Sequence, residues 1–291
     1  MADLTRRALL GSLAAALPVT SQWARAQESA PDPDEVMARQ RTEYEARRKR
    51  AVAAFPFERI TVPGKDALTE WERLRAEGHG WPVVVGNEGD LGSIVDQFGM
   101  NDPALPGNVI PGPPPRSPGE IIAAAENISF PVDLRRWPGA YQVDDLQVPL
   151  GEWPSEVEAP ASGLTVATDL LSGRSYDKVH ILLIPTRLGW EVPAYLRWGD
   201  WNACPPPEYH VAALRHWHKQ YGVDLIGING DTMNLRAAKA PATRDKALAL
   251  AREQYEYCHE YCPDIVDQGA GSISALAATL MASGWWYFWW D

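Results

Sequence analysis

The stretch VDLIGINGDTMNLRAAK, residues 223–239, decides the fold because it predicts a β-hairpin. Two apolar runs, VDLIGI and TMNLRAAK, lie on either side of Asn229 and Gly230. An Asn-Gly pair between apolar runs is the strongest short-range hairpin signal, since both residue types tolerate the positive φ angles of a tight turn. Strands joined in this way pair antiparallel, so at least part of the sheet must be antiparallel.

A second strand signal is GWWYFWWD, residues 284–291, in which six aromatic residues run from Trp285 to Trp290. A strand directs alternate side chains to opposite faces, so both faces of this segment carry large apolar rings. Such a segment promotes aggregation when it is exposed. We therefore expect it to pair with strands on both sides, or at least to have both faces covered. The alternative is that one face forms an aromatic floor for a sugar or another flat ligand.

The last third of the chain contains further strand and helix patterns. Two apolar runs, HILLIPT at residues 180–186 and EVPAYLRW at residues 191–198, predict strands joined by a turn at Leu188 and Gly189. Helix patterns with terminal proline, threonine or serine signals occupy three other stretches, residues 205–222, 243–262 and 272–283.

The earlier part of the chain divides by composition. Residues 27–54 are rich in Ala, Arg and Glu and predict an exposed, polar helical arm, with a partner-binding helix as the alternative. Residues 55–165 are interpreted as an N-terminal subdomain in which FERITVP and WPVVVG predict strands with a helix between them. Within it, the proline-dense residues 101–118 predict a long surface loop. A C-terminal domain then covers residues 166–291.

These patterns predict an α+β fold. We expect a mixed, largely antiparallel sheet flanked by helices, with a looser N-terminal α/β subdomain. The glycines after WPVVVG are compatible with a phosphate loop, but neither GxGxxG nor GK[ST] is present. A strand-to-helix turn with Asp90 near the helix N-terminus is the favoured interpretation.

Residues 1–26 have the pattern of a cleavable export signal. Arg6 and Arg7 precede an apolar run, residues 8–19, that is too short to span a bilayer, and residues 24–26 form a small-x-small cleavage site. The paired arginines indicate twin-arginine export, with an ordinary Sec signal as the alternative. We therefore expect a periplasmic or secreted protein with no membrane span after signal removal.

Composition excludes some classes of partner. The net charge of −11 disfavours nonspecific binding to nucleic acid and to anionic membrane surfaces, because phosphates would be repelled. The content of 13 Trp is unusual, whereas 45% hydrophobic and 22% charged residues are ordinary for a globular protein. The sequence carries no motif that predicts a cofactor.

Three segments of the last third carry a resemblance to a known family. They are WNACPPPEYHVAALRHWHKQYGVDLIGINGD at residues 201–231, YCPDIVDQG at residues 261–269 and WYFWWD at residues 286–291. In combination they resemble the bacterial domain-of-unknown-function family 4253 over about residues 190–291. The resemblance implies a domain and no particular activity.

Three cysteines, Cys204, Cys258 and Cys262, allow three interpretations. An oxidising compartment favours one disulfide, and Cys204 and Cys262 are the candidates because each precedes a proline. The second interpretation is that the thiols are buried and free. The third is a metal site that uses these cysteines with His210 or His259, although no CxxC or HExxH spacing supports it.

The catalytic candidates are His210, Asp264 and Asp267. His210 belongs to a predicted helix, whereas the two aspartates lie in a loop before the last helix, where they could act as acids or bases. The structural alternative is a core histidine and aspartates that bind backbone amides. Asp231, at the hairpin, and Asp291 are further carboxylates near element ends.

Two functional hypotheses follow, beside a third possibility, a structural protein that binds no ligand. The first is a noncatalytic envelope module that binds an unidentified protein or glycan through a Trp-lined cleft. The second is a small hydrolase or metal-dependent enzyme that uses the Cys, His and Asp groups. An enzyme requires these groups to converge around a pocket, whereas a binding module requires only an open aromatic cleft. The candidate ligand-binding residues are Trp201, Asn202, Trp217, Gln268, Trp289 and Asp291.

Overall fold

The computed structural model describes residues 32–105, 112–137, 148–157, 163–258 and 271–290. The chain divides into two units, Met1–Glu45 and Ala46–Asp291. The helices are α1 (Pro33–Ala54), α2 (Ala67–Glu77), α3 (Glu88–Phe98), α4 (Pro118–Glu126), α5 (Val192–Leu196), α6 (Pro207–Tyr221), α7 (Arg244–Tyr257) and α8 (Ile273–Ala282). The strands are β1 (Glu58–Val62), β2 (Trp81–Gly86), β3 (Thr168–Asp169), β4 (Arg174–Ser175), β5 (Val179–Ile184), β6 (Asp224–Ile228), β7 (Thr232–Arg236) and β8 (Trp285–Trp289). Within these ranges, no helix combines the length and the apolar composition that a bilayer crossing requires.

Six strands form one mixed sheet in the order β1-β5-β2-β6-β7-β8. Neighbouring strands are antiparallel except for β2 and β6, which run parallel with Val84 opposite Gly227. The predicted α+β fold with a largely antiparallel sheet flanked by helices is therefore confirmed. Because β5 inserts between β1 and β2, strands from both sides of the expected boundary at residues 165 and 166 alternate in this sheet.

The predicted hairpin is present as β6 and β7, and a three-residue loop joins the strands. The side-chain oxygen of Asn229 accepts hydrogen bonds from the backbone N–H groups of Asp231 and Thr232, at 3.2 and 2.9 Å. The loop is one residue longer than the two-residue turn that an Asn-Gly pair predicts. The longer loop is stable because the Asn229 side chain satisfies two of its backbone N–H groups.

The aromatic strand β8 is an edge strand, so the expectation that it pairs on both sides is wrong for the described sheet. It pairs with β7 alone, with Phe288 opposite Met233. Trp286 and Phe288 are buried, whereas Trp285, Tyr287 and Trp289 on the other face are half-buried. One face is therefore core and the other face is only partly covered.

Trp217 lies at the centre of the aromatic core and is fully buried. Its ring stacks on Phe288 with a centroid distance of 5.5 Å and makes edge contacts with Phe130 and Tyr257 at 5.2 and 5.1 Å. Such offset and edge-on contacts stabilise aromatic clusters beyond the burial of their surface. Helices α6 and α7 therefore pack onto the buried face of β8.

The strand predicted at residues 191–198 is wrong, since α5 occupies this segment. Pro193 lies in the first turn of the helix, where the missing N–H is tolerated and the fixed φ favours helix. Arg197 ends the helix in the left-handed region, with φ of 53°. Helix α5 packs against α4 and α6.

The helices predicted from terminal signals are present, and their caps are those the sequence indicated. Thr243 caps α7 and Ser272 caps α8 through hydrogen bonds to the third backbone N–H of each helix. Helix α7 ends at Tyr257, five residues before the predicted end at Cys262; residues 259–262 lie outside the described part. The helix predicted in the polar segment is present as α1, in which Ala51 is buried.

Candidate functional site

A cleft of about 320 Å³ opens at the end of the sheet where the central parallel strands β2 and β6 terminate. In open α/β sheets, ligands bind outside the carboxyl ends of such strands. In the described sheet, the cleft lies at the carboxyl ends of the one parallel pair, β2 and β6. The described residues that line it are Asp90, Thr165, Val166, Thr168, Asp169, Leu170, Leu171, Tyr176, Asn229, Asp231, Thr232 and Trp289.

The turn after β2 positions Asp90. Asn87 caps α3, and Asp90 returns the contact by accepting a hydrogen bond from the Asn87 backbone N–H at 2.9 Å. Gly86 has φ of 90°, and a β-carbon there would approach the Asp90 carboxylate to 2.4 Å. Glycine is therefore required for the strand end and the carboxylate to lie side by side.

The turn after β6 brings a second carboxylate to the same edge. Asn229 binds the backbone of the loop with its side-chain oxygen and donates from its amide nitrogen to Asp90 at 3.3 Å. Asp231 follows, and its carboxylate accepts a hydrogen bond from the Thr232 hydroxyl at 2.8 Å. In the β7–β8 register Thr232 lies opposite Trp289, so the Trp289 indole lies at the same end of the sheet as Asp231.

Residues 164–167 form another wall, and Asn234 holds it against the sheet. The buried Asn234 side chain accepts hydrogen bonds from the Val166 N–H at 3.0 Å and donates to the Thr165 hydroxyl at 2.8 Å. The wall approaches the sheet so closely that a β-carbon on Gly227 would lie 2.5 Å from the Val166 side chain. Gly227 on β6 leaves room for residues 164–167 to pack against the sheet, and Asn234 on β7 holds them there through hydrogen bonds.

We expect Asn234→Ala to lower the free energy of unfolding by about 1–3 kcal/mol, because it leaves the buried Val166 N–H without its partner. Thr165→Val, which removes only the hydroxyl contact, should cost less. Urea unfolding measures both, with Asn127→Ala on an exposed helix end as the control. An Asn234→Ala loss no larger than the control loss would show that Asn234 does not hold this wall.

The rim of the cleft is the β3–β4 hairpin. The Asp169 carboxylate shapes its turn by accepting hydrogen bonds from the backbone N–H groups of Leu171 and Ser172, at 2.9 and 3.3 Å. Leu170 and Leu171 are 67% and 100% exposed. Exposed apolar side chains beside a cleft are a surface that a bound partner can cover.

The cleft has a negative potential. Burial raises the pKa of Asp90, and the neighbouring Asp231 carboxylate raises it further, against the opposing effect of the Asn87 N–H. Burial also raises the pKa of the Tyr176 hydroxyl, with a contribution from the charge of Asp90. The carboxylates are thus close enough to interact, and the described lining contains no lysine, arginine or histidine.

A second polar group lies in the core. The Cys204 sulfur is 3.3 Å from Nε2 of His210, whose Nδ1 is 2.5 Å from the Tyr257 hydroxyl. All three residues are buried. The rings of Trp198 and Trp290 cover His210, with centroid distances of 4.9 and 5.4 Å. Water and ligands are therefore kept from this group by aromatic side chains.

The protonation states of this group do not suit nucleophilic catalysis. Burial raises the pKa of the Cys204 thiol and of the Tyr257 hydroxyl well above their usual values. It lowers the pKa of His210 to about 3. At neutral pH the three groups are a thiol, a neutral imidazole and a phenol. A cysteine nucleophile needs the thiolate form and access to substrate, and Cys204 has neither.

Of the predicted ligand-binding residues, Trp289 lines the cleft. Trp217 is a core residue, and its indole N–H donates to Glu253 at 3.1 Å. Trp201 is half-buried against Trp198, and Asn202 is exposed at a left-handed turn with φ of 43°. The predicted set therefore does not converge at one place within the described part of the chain.

Several candidates fall on residues that the structure does not describe: Cys262, Asp264, Asp267, Gln268 and Asp291. Their predicted roles, and the Cys204–Cys262 disulfide, stay predictions. The other two cysteines, Cys204 and Cys258, lie in the described part and are buried. Across the described ranges, no group of three His, Cys, Asp or Glu side chains is arranged to hold a metal ion.

Several residues of the cleft were not identified from sequence. Asp90 lies in the first turn of α3, as the sequence predicts, and its second role in the cleft arises because β6 lies beside β2. The available signal was a carboxylate shortly after each of two strands, Asp90 after β2 and Asp231 after β6. Tyr176 and Asp169 carried no such signal, because no strand pattern identified their short hairpin.

Residues 180–291 match the model of a family described as a domain of unknown function, DUF4253. The match confirms the resemblance of the C-terminal part of the chain. Comparison with curated proteins and with solved structures gave no match. The matched region contains Asn229, Asp231 and Trp289, whereas Asp90 and Tyr176 lie before it, so the cleft combines residues from inside and outside that region.

Proposed function

We propose that this protein, with its DUF4253 region, is an exported envelope module that binds a glycan in the cleft without catalysing a reaction on it. Export is supported by the charged, apolar and small-x-small pattern of residues 1–26. An envelope location would give such a module access to cell-wall polysaccharide. Periplasmic and secreted locations are both compatible with this proposal.

The observation that carries the proposal is the combination of groups in the cleft. The half-buried indole of Trp289 offers a flat apolar surface to the C–H face of a sugar ring. Asp90, Asp231 and Asn229 supply the carboxylate and amide groups that accept hydrogen bonds from sugar hydroxyls. The cleft volume of about 320 Å³ is within the range of small-molecule sites, roughly 300–1,000 Å³.

The exposed rim adds to this support. Leu170 and Leu171 expose apolar surface beside the cleft, which a polysaccharide that extends beyond the cleft would cover. Transferring such surface out of water contributes about 25 cal/mol per Å². The site is therefore suited to a ligand longer than the cleft itself.

The alternative, a hydrolase built on cysteine and histidine, has less support. Cys204 and His210 do approach each other, but they are buried and uncharged. Neither residue lines the cleft. A reaction at Cys204 would require the surrounding aromatic core to open, which costs more free energy than a poised active site should demand.

We expect Trp289→Ala to weaken glycan binding about tenfold, which corresponds to the ~1.4 kcal/mol of one lost ring contact. Isothermal titration calorimetry with hexasaccharides of N-acetylglucosamine and of glucosamine, and with soluble peptidoglycan fragments, measures this effect. Trp285→Ala is the matched control, because Trp285 lies on the same face of the same strand but does not line the cleft.

Two outcomes would contradict the proposal. The first is that none of these saccharides binds the full chain. The second is that mass spectrometry of the recovered saccharides shows cleavage, which would make the protein an enzyme. Equal binding by wild type and Trp289→Ala would place the glycan somewhere other than this cleft.

A further inference from the structure

The described lining of the cleft contains no positive side chain to balance its carboxylates. Asp90, Asp169 and Asp231 line it, and the hydrogen bonds that they accept come from neutral donors: backbone N–H groups, the Asn229 amide and the Thr232 hydroxyl. Interactions among charges strengthen in a concave site with walls of low polarity. The field inside the cleft therefore favours a ligand that carries positive charge.

Arg48 supplies only part of that charge, and it does so from outside the cleft. Its field lowers the pKa of Asp90, yet its guanidinium donates to the Gly89 carbonyl and lies 3.8 Å from Asp96. Arg48 is not among the residues that line the cleft. Within the described lining, no cationic side chain balances the three carboxylates.

The aromatic wall distinguishes between kinds of cation. Trp289 presents an indole, and indoles attract organic ammonium groups through the electrons of the ring face. A bare metal ion would need three or more ligand side chains directed at one point, and the described residues provide no such group. An ammonium group on a flat, hydroxyl-rich molecule satisfies the carboxylates and the indole together.

We propose that the cleft selects sugars that carry a free, protonated amine, so that its preferred ligand is a de-N-acetylated amino sugar within a glycan. This inference rests on the proposed function, because it names the chemical class of the ligand of the same site. In an N-acetylated sugar the amine is an uncharged amide, which cannot neutralise the carboxylates of Asp90 and Asp231. Removal of the acetyl group creates both the charge and additional N–H donors.

The test compares hexasaccharides of glucosamine and of N-acetylglucosamine by isothermal titration calorimetry with the full chain. We expect the glucosamine hexasaccharide to bind at least about tenfold more tightly. Asp231→Asn and Asp169→Asn, which keep the shape and the hydrogen-bond acceptor, should each remove most of this preference. Asp245→Asn, which removes the same charge from an exposed position on α7, should leave the preference unchanged.

The outcomes separate this inference from the function on which it rests. Equal affinity for the two saccharides, or preference for the N-acetylated one, overturns the amine selectivity and leaves glycan binding in place. Absence of binding by both saccharides and by peptidoglycan fragments overturns both. Glucosamine binding that persists in Trp289→Ala and in both cleft aspartate variants is attraction to the acidic surface alone, and it also overturns the inference. Melting temperatures of all variants, compared with wild type, identify any variant that has lost its fold.

Discussion

Phe288→Ala should lower the free energy of unfolding by about 3–5 kcal/mol, the usual cost of removing a buried aromatic ring. Phe288 is fully buried, stacks on Trp217 and contacts the edge of Tyr257 at 5.2 Å. The ring joins β8 to helices α6 and α7, so the cavity cannot be filled by movement of a single neighbour. Urea unfolding followed by circular dichroism measures the loss.

Trp289→Ala is the matched comparison, since the two residues are adjacent on β8 and point to opposite faces. Trp289 is half-buried, so its replacement should cost less than about 1.5 kcal/mol. We also expect Trp289→Ala to weaken glycan binding more than Phe288→Ala does, because of these two residues only Trp289 lines the cleft. Equal losses of stability would mean that the buried face of β8 has been assigned incorrectly.

His210 should make the protein sensitive to acid, and His210→Gln should remove that part of the sensitivity. Burial lowers the pKa of His210 to about 3 in the folded state, while the usual value of ~6.5 applies to the unfolded chain. The unfolded state therefore binds a proton more readily. Stability from this residue is complete above about pH 6.5 and falls as the pH decreases toward 3, by roughly 5 kcal/mol in all.

Measurement of unfolding free energy against pH isolates the effect of this histidine from that of the carboxylates. Between about pH 6 and pH 4, wild type should lose about 1.4 kcal/mol per pH unit more than His210→Gln. His216→Gln is the control, because His216 lies on the same helix but is partly exposed. Parallel curves for wild type and His210→Gln would show that His210 titrates normally and that the core around it admits water.

Local signals predicted most of the elements correctly because the responsible forces act over a few residues. Thr243 and Ser272 cap helices through contacts three residues away, and Asn229 binds its own turn. These interactions depend only on residues close together in the chain, so sequence patterns report them. The exception at residues 191–198 is instructive: Pro193 favoured the helix, while the apolar alternation favoured a strand.

The site was only partly predictable. Trp289 and Asp231 were candidates because aromatic density and a strand end are visible in the sequence. Asp90 joined them only after β2 and β6 became neighbours, with more than a hundred residues between them in the chain. His210 shows the reverse: its type suggested chemistry, and burial beneath Trp198 and Trp290 made it a neutral core residue.

By itself, the sequence determined the hairpin, the capped helices, the aromatic terminal strand and the resemblance of the C-terminal part, because each depends on neighbours along the chain. The tertiary structure alone decided that β8 lies at the edge of the sheet and that β2 and β6 run parallel. It also decided which polar groups face solvent and which are buried. These outcomes depend on contacts between distant segments, whose loop-closure entropy and packing no local pattern encodes.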